Sequence, residues 1–251
     1  MLCKTFKDLS HDTWKKIEQS KDVSFQLKEE SITDHNLLHL KIKHPNEIHI
    51  HIFNKVAEGT NGADWEWWLN DNTDWLGFRV QAKIINNISD RFEHLHYQKK
   101  SSAPQSEILI TQASPKGEVP RVPIYCLYLS SENLDSKKLK TNVELYGCSL
   151  LSAYKVAELR PRTDSIKALE AFLIPWHKLV CKKSLTDFQE HIQTFFTDYL
   201  KQEILDLGSY ITTNPPDYIR AISQNMSPSF EGNYGKSDLA GVVVINLSEK
   251  K

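Results

Sequence analysis

The chain has 251 residues, 40% of them hydrophobic and 25% charged, which is enough for a sizeable core in one large domain or two small ones. A formal net charge of -1 excludes a bulk positive field, so any polyanion binding must rest on local basic surface. The local candidates are Lys99-Lys100, Lys137-Lys138 with Lys140, Arg160 with Arg162 and Lys167, and Lys182-Lys183.

In chain order, residues 3–20 read as an amphipathic helix with Phe6, Leu9, Trp14 and Ile17 on one side. A second helix is expected over residues 29–43, with Glu29 and Glu30 at its positive end, Lys41 and Lys43 in its last turn, and Pro45 after it. Residues 47–53 alternate Ile48, Ile50, Ile52 against Glu47, His49, His51, a strand pattern that puts both histidines on an exposed face. Two further strands follow, 64–69 and 77–83, rich in aromatic and β-branched residues. Residues 86–113 are expected to be helical, or two helices broken near Pro104, with Phe92, Leu95 and His96 on the first piece. Residues 122–129 form a nearly continuous apolar strand, as in a sheet covered on both faces. Residues 147–159 read as a helix, and 171–180, interrupted by Pro175, as a short strand or irregular core piece. The longest helical pattern runs from Leu185 to Leu207, with Ser184 as N-cap and Gly208 as stop. A polar loop over 223–238 precedes a last buried strand, 241–247. The expected architecture is one α/β domain over residues 1–251, a central mixed sheet flanked by helices.

Cys3, Cys126, Cys148 and Cys181 are widely spaced and contain no CxxC pair, so neither a disulfide nor a structural zinc is expected. No stretch approaches membrane-spanning length and Met1–Asp8 has no apolar signal-like run, so the expected location is the cytoplasm, with no membrane partner.

The chemistry concentrates in the strand pair 64–69 and 77–83. Side chains alternate along a strand, so Asp64 shares a face with Glu66, and Gln81 with Lys83. Paired as a hairpin, the two strands would gather two carboxylates, an amide oxygen and an ammonium, which is a divalent-metal site with a lysine beside it. Hard Mg²⁺ takes oxygen ligands and retains waters, so one or two carboxylates and an amide suffice. The order helix, strand, strand, strand, helix, strand over residues 25–130, with Asp64 followed by Gln81-Ala82-Lys83, resembles the PD-(D/E)-x-K restriction-endonuclease-like superfamily. The Gln-x-Lys form is similar to its Mrr-like branch. Glu29-Glu30-Ser31-Ile32-Thr33 resembles the Glu-x-x-x-Thr pattern on that superfamily's first helix, and the combined motifs look like an uncharacterised family of small prokaryotic proteins.

The resemblance implies a restriction-endonuclease-like core, with residues 131–251 as additions to the same domain. It also implies a Mg²⁺- or Mn²⁺-dependent nuclease, a DNA endonuclease of prokaryotic defence before an RNA enzyme, working as a homodimer or with a defence partner. Asp64 is then the principal metal ligand, Gln81 the amide ligand and Lys83 the catalytic lysine. Glu66 and Glu29 are second-rank ligands, and Glu30 replaces Glu29 if the helix is rotated by one position. Lys83 positions or deprotonates the attacking water, or neutralises the phosphate; the sequence leaves these open. The alternative is a catalytically inactive nuclease fold that binds nucleic acid or a partner protein.

Other residues are expected to be structural. Trp65, Trp67, Trp68 and Trp75 read as core rather than base-stacking residues. His94 and His96, two apart on an expected helix, diverge. His177 and Cys181 have no spacing that would orient them as a nucleophile pair.

Overall fold

The structure is a computed structural model that describes residues 1–53, 65–100, 102–114, 118–139, 141–159, 163–181, 187–200, 207–228 and 239–248. The N-terminal half contains α1 (Leu2–Asp22), α2 (Glu29–Lys43), β1 (Ile48–Ile52), β2 (Trp65–Asn70), β3 (Trp75–Ile84), α3 (Gln105–Ala113) and β4 (Val122–Tyr128). The C-terminal half adds α4 (Ser136–Leu139), β5 (Cys148–Ser152), α5 (Ala153–Glu158), α6 (Ile166–Leu169) and β6 (Ile174–Pro175). It ends with α7 (Phe188–Thr194), β7 (Ile211–Thr212), α8 (Asp217–Ser223) and β8 (Gly241–Asn246).

These strands form one mixed sheet in the order β1-β8-β2-β3-β4-β5-β6, with β7 paired to the start of β3. β2 and β3 are the expected hairpin, pairing Glu66 with Arg79 and Trp67 with Phe78. Its turn places Asn72 at φ 79, a conformation Asn tolerates better than most residues. β3 and β4 are parallel, which requires a crossover, and α3 lies within it. The final strand is inserted between β1 and β2, parallel to β2. Flanked on both edges and covered on both faces, its Val242-Val243-Val244-Ile245 run is buried throughout.

One face of β3 carries Val80 and Ala82, which join Phe6, Leu9 and Ile17 of α1 and Leu37 and Leu40 of α2 in the main core. On the other face Trp68, Trp75, Val242 and Val244 pack under Tyr218, Ile219 and Ile222 of α8. All four hairpin tryptophans are buried, as their patterning predicts.

Several segments differ from expectation for identifiable reasons. Residues 86–98 are turns and bridges rather than helix. The Asn86 carboxamide accepts from the backbone N–H groups of Ile88 and Ser89, closing a local turn that competes with helical pairing. Phe92 and Leu95 are still buried. Residues 148–152 are a strand, because a short apolar run has no period to distinguish it from helix, and here β4 supplies a hydrogen-bonding edge. The C-terminal helix is observed as α7 and a π-helical turn, Phe195–Leu200, with Asp187 as N-cap. Ser184 and residues 201–206 lie outside the described residues. Part of the 223–238 loop, residues 229–238, also lies outside them. His49 is buried against Asn225 rather than exposed (2.9 Å), because α8 and the residues after it cover its face of the sheet.

The cysteine expectation is corrected as well. Cys3 and Cys181 form a disulfide, with Cα atoms 4.9 Å apart. Their separation of 178 residues hid the pairing, which arises because α1 packs along the Trp176–Leu179 turn. Trp176 Nε1 fixes that contact by donating to the Phe6 carbonyl (2.7 Å). The bridge removes Cys181 as a nucleophile. Among the described residues, no helix is long and apolar enough to cross a membrane.

α1 reaches β5 through Gly147, where an added Cβ would stand 2.0 Å from the Ser10 carbonyl oxygen and 2.8 Å from the Trp14 nitrogen. Backbone atoms of a helix cannot yield as a side chain can, so Gly147→Ala should cost roughly 1–3 kcal/mol or more. The expected outcome is a lower urea midpoint at unchanged m-value.

His177 is buried. Desolvation, with smaller repulsion from Lys178, Lys7 and His11, pushes its imidazole down to about 4. An unfolded histidine binds its proton near ~6.5, so between these values the unfolded state holds more protons than the native one. Stability should therefore fall as pH drops from about 6.5 towards 4. His177→Leu should flatten that part of the pH–stability curve, read as urea midpoints at several pH values.

Candidate functional site

β3 presents Arg79, Gln81 and Lys83 on one face, because alternate residues of a strand point the same way. The three side chains meet very different surroundings.

Arg79 enters a closed ionic cluster around Glu66, its partner across the hairpin. Glu66 is fully buried. Its Oε1 faces Arg121 Nε at 3.1 Å and Arg79 Nη1 at 3.4 Å. Its Oε2 accepts from the Tyr218 hydroxyl at 2.6 Å and from Trp68 Nε1 at 3.2 Å. Arg121 also donates to Glu118 at 2.9 Å and to the Tyr218 hydroxyl at 3.2 Å, with its guanidinium 5.8 Å from the centre of the Trp68 ring. Burial works to lower the pKa of Arg121, but Glu66 and Tyr218 outweigh it and raise the value. For Arg79 burial dominates, Glu66 offsets it only in part, Arg121 adds repulsion, and the pKa is lowered. Tyr218 is pushed well above the ordinary phenol range, first by burial and then by Glu66, so it stays a donor. Glu66, expected as a second-rank metal ligand, thus has both oxygens engaged by protein donors and its charge already neutralised.

Gln81 is 3% exposed. Its amide oxygen accepts from Gln105 Nε2 at 2.9 Å, and its own nitrogen donates to the Ala82 carbonyl at 3.2 Å. Among the described residues, no donor reaches the buried Oε1 of Gln105, an acceptor that a cation or a water would serve. Gln105 carries no periodicity or motif signal that would have singled it out from the sequence; its position at the start of α3, in the crossover, brings it there.

Lys83 is 7% exposed, and among the described residues nothing accepts a hydrogen bond from its ammonium or pairs with it. It lines a cleft of ≈ 330 Å³ together with Glu29, Glu30, Glu93 and His94. The Glu-x-x-x-Thr element explains how α2 reaches this point. Thr33 donates to the Glu29 carbonyl at 2.9 Å and bonds the buried Tyr128 hydroxyl at 2.8 Å. Tyr128 stands beside Ile84 in the β3–β4 register. The first turn of α2 is thereby pinned next to the end of β3. Glu29 is half-buried there and Glu30 exposed.

Asp64 lies outside the described residues, one position before the first residue of β2. Among the described residues, no group of three His, Cys, Asp or Glu side chains stands close enough to hold a metal. The oxygen donors of Glu29, Gln81 and Gln105 are nevertheless of the type that Mg²⁺ or Mn²⁺ takes. His96 Nε2 bonds the Thr163 carbonyl at 3.0 Å, whereas His94 lines the Lys83 cleft, and the segment that carries both is not the expected helix.

The fold and these two β3 environments define an α/β protein built on a mixed, open sheet, with a buried ionic cluster and a lysine-bearing cleft on the same strand face. More narrowly, the chain belongs to a family of unknown function (DUF6615), whose model matches residues 2–251. No curated protein and no solved structure matches it.

Removing the Glu66 charge would leave two guanidiniums facing each other in a dry site. Glu66→Gln should cost about 3–5 kcal/mol, as for other broken buried ion pairs. The checking measurement is the urea midpoint, with Glu118→Gln, on the exposed side of the cluster, shifting it far less.

Proposed function

We propose that this protein is a metal-dependent nuclease with a restriction-endonuclease-like core, acting on DNA. The observation that carries the reading is the cleft in which Lys83 of the Gln81-Ala82-Lys83 strand meets Glu29 of the Glu-x-x-x-Thr helix. Two motifs separated by about fifty residues of sequence thus share one cavity, and the lysine in it has no competing protein partner among the described residues. The order α2, β1, β2, β3, α3, β4, with an antiparallel hairpin and a parallel crossover, is consistent with that core once β8 is read as an insertion between β1 and β2.

In this reading Asp64 is the principal carboxylate, Gln81 the amide ligand and Glu29 the helix-borne acid, with Glu30 at the outer rim. Glu66 holds Arg79 and Arg121 in place and is a positioning residue. When bound, Mg²⁺ or Mn²⁺ would supply an acidified water and stabilise charge building on the phosphate. Lys83 holds the attacking water or the phosphate by its ammonium. The orphaned Gln105 oxygen fits the donor set, and its amide nitrogen orients the Gln81 oxygen. Partner, oligomeric state and a role in prokaryotic defence belong to the same proposal.

A catalytically inactive nuclease fold is the second reading, favoured by Gln81, because an amide carries no charge and its oxygen already accepts from Gln105. Plasmid cleavage separates the two. Wild type should nick supercoiled DNA with Mg²⁺ or Mn²⁺, and Asp64→Ala and Lys83→Ala should each lose on the order of 10²-fold or more, the size of a removed electrostatic or general-acid–base contribution. Equal activity in all three proteins would sink the assignment, and binding of DNA without cleavage would favour the inactive fold.

A further inference from the structure

The Cys3–Cys181 bridge joins two elements that are also held together without it. Cys3 stands in the first turn of α1 and Cys181 just after the Trp176–Leu179 turn, both only partly buried. Deeper in the same contact, Trp176 Nε1 donates to the Phe6 carbonyl at 2.7 Å, and the two ring centres lie 4.6 Å apart. Both side chains belong to the main core. Cys181 is held from its own side, its backbone N–H donating to the His177 carbonyl at 2.9 Å. The 4.9 Å between the two cysteine Cα atoms is thus supported by packing and backbone pairing that outlast the S–S bond.

The surroundings carry positive charge. The first N–H groups of α1 have no intrahelical acceptor, and no acid in the first turn offsets that positive end. Lys7 lies one turn further along the Cys3 face of α1. Lys7, His11 and Lys178 all act on His177 to disfavour its protonation, which places them around the same contact. Of the acids nearby, Asp8 is paired with Lys4 at 2.6 Å and Glu144 with His11 at 2.7 Å. Such a setting favours thiolate over thiol, and the better stabilised thiolate leaves faster from a disulfide. Cys3, on the helix N-terminus, has that advantage over Cys181.

We infer that Cys3–Cys181 is a reversible redox site, opened by a small thiol of the glutathione class and closed again without unfolding. A glutathione thiolate attacks the Cys181 sulfur, forming a mixed disulfide there and expelling Cys3 as thiolate. A second glutathione thiolate attacks the glutathione sulfur of that mixed disulfide, releasing glutathione disulfide and the Cys181 thiolate. The protein gains the two electrons that the two glutathiones lose. The two protons released by the glutathione thiols balance those the protein thiolates take up. Glutathione disulfide runs the same steps backwards. The site does not rest on the nuclease reading.

Cys126 and Cys148 are fully buried, and burial above all pushes the Cys148 thiol up, so alkylation of the native protein reports on Cys3 and Cys181. Native protein equilibrated with glutathione at a series of reduced-to-oxidised ratios, then alkylated and analysed by mass, tests the inference. The bridge should open progressively along the series and close again when glutathione disulfide is restored, with near-UV circular dichroism unchanged. A Cys3→Ser/Cys181→Ser double variant should keep the same near-UV spectrum. In the single variants, Cys3 of Cys181→Ser should alkylate at neutral pH roughly tenfold faster than Cys181 of Cys3→Ser. A bridge that stays closed in reduced glutathione alone, a near-UV signal lost on reduction or in the double variant, or equal alkylation of the two single variants would overturn the inference.

Discussion

The buried carboxylate of Glu66 is the constraint on which the rest of the sheet depends. A lone charge in that position would be prohibitively desolvated. Four elements must therefore bring donors to it: Arg79 from β3, Arg121 from the approach to β4, Tyr218 from α8 and Trp68 from β2 itself. The cluster also explains Gly77, where a Cβ would stand 2.9 Å from both Arg121 Cγ and the Trp68 ring. Only a residue without a side chain lets the guanidinium lie over the indole at this point. One ion cluster thus fixes the hairpin register, the crossover into β4 and the docking of α8 together.

That register has a functional consequence further along the same strand. Fixing Glu66 opposite Arg79 commits Gln81 and Lys83 to the same face, two and four residues on. Arg79 is absorbed into structure, whereas Lys83 reaches a cleft lined also by Glu29, Glu30 and Glu93. In the proposed reaction that ammonium needs an anionic or water oxygen to hold. A phosphate or a metal-bound water is the kind of group that would answer it.

Much of this was legible in the sequence because it follows from period. Alternation gave β1 and the hairpin, continuous apolar runs gave β4 and β8, and helical spacing with acids first and lysines last gave α2. The limits were equally physical. The roles of Glu66 and Arg121 could not be read, because an acid in a D-x-E pattern looks the same whether it meets a metal or an arginine fifty-five positions away. Gln105 and the Cys3–Cys181 bridge were hidden for the same reason: tertiary proximity leaves no local pattern. Residues 86–98 misled in the other direction, since Phe92 and Leu95 are buried as a helix face would be, but the Asn86 turn holds them there. In the β1 strand, alternation correctly put His49 on one face, but nothing local announced that α8 covers it.

The central claim is that Asp64, Gln81 and the first turn of α2 hold a divalent ion beside Lys83. A crystal soaked in Mn²⁺, with anomalous scattering recorded, tests this most directly. The account predicts an anomalous peak within coordination distance of the Asp64 carboxylate and the Gln81 amide oxygen, on the Lys83 side of β3. A well-ordered Asp64 with no peak there, or a Lys83 ammonium paired directly with the Asp64 carboxylate in place of the ion, would contradict it.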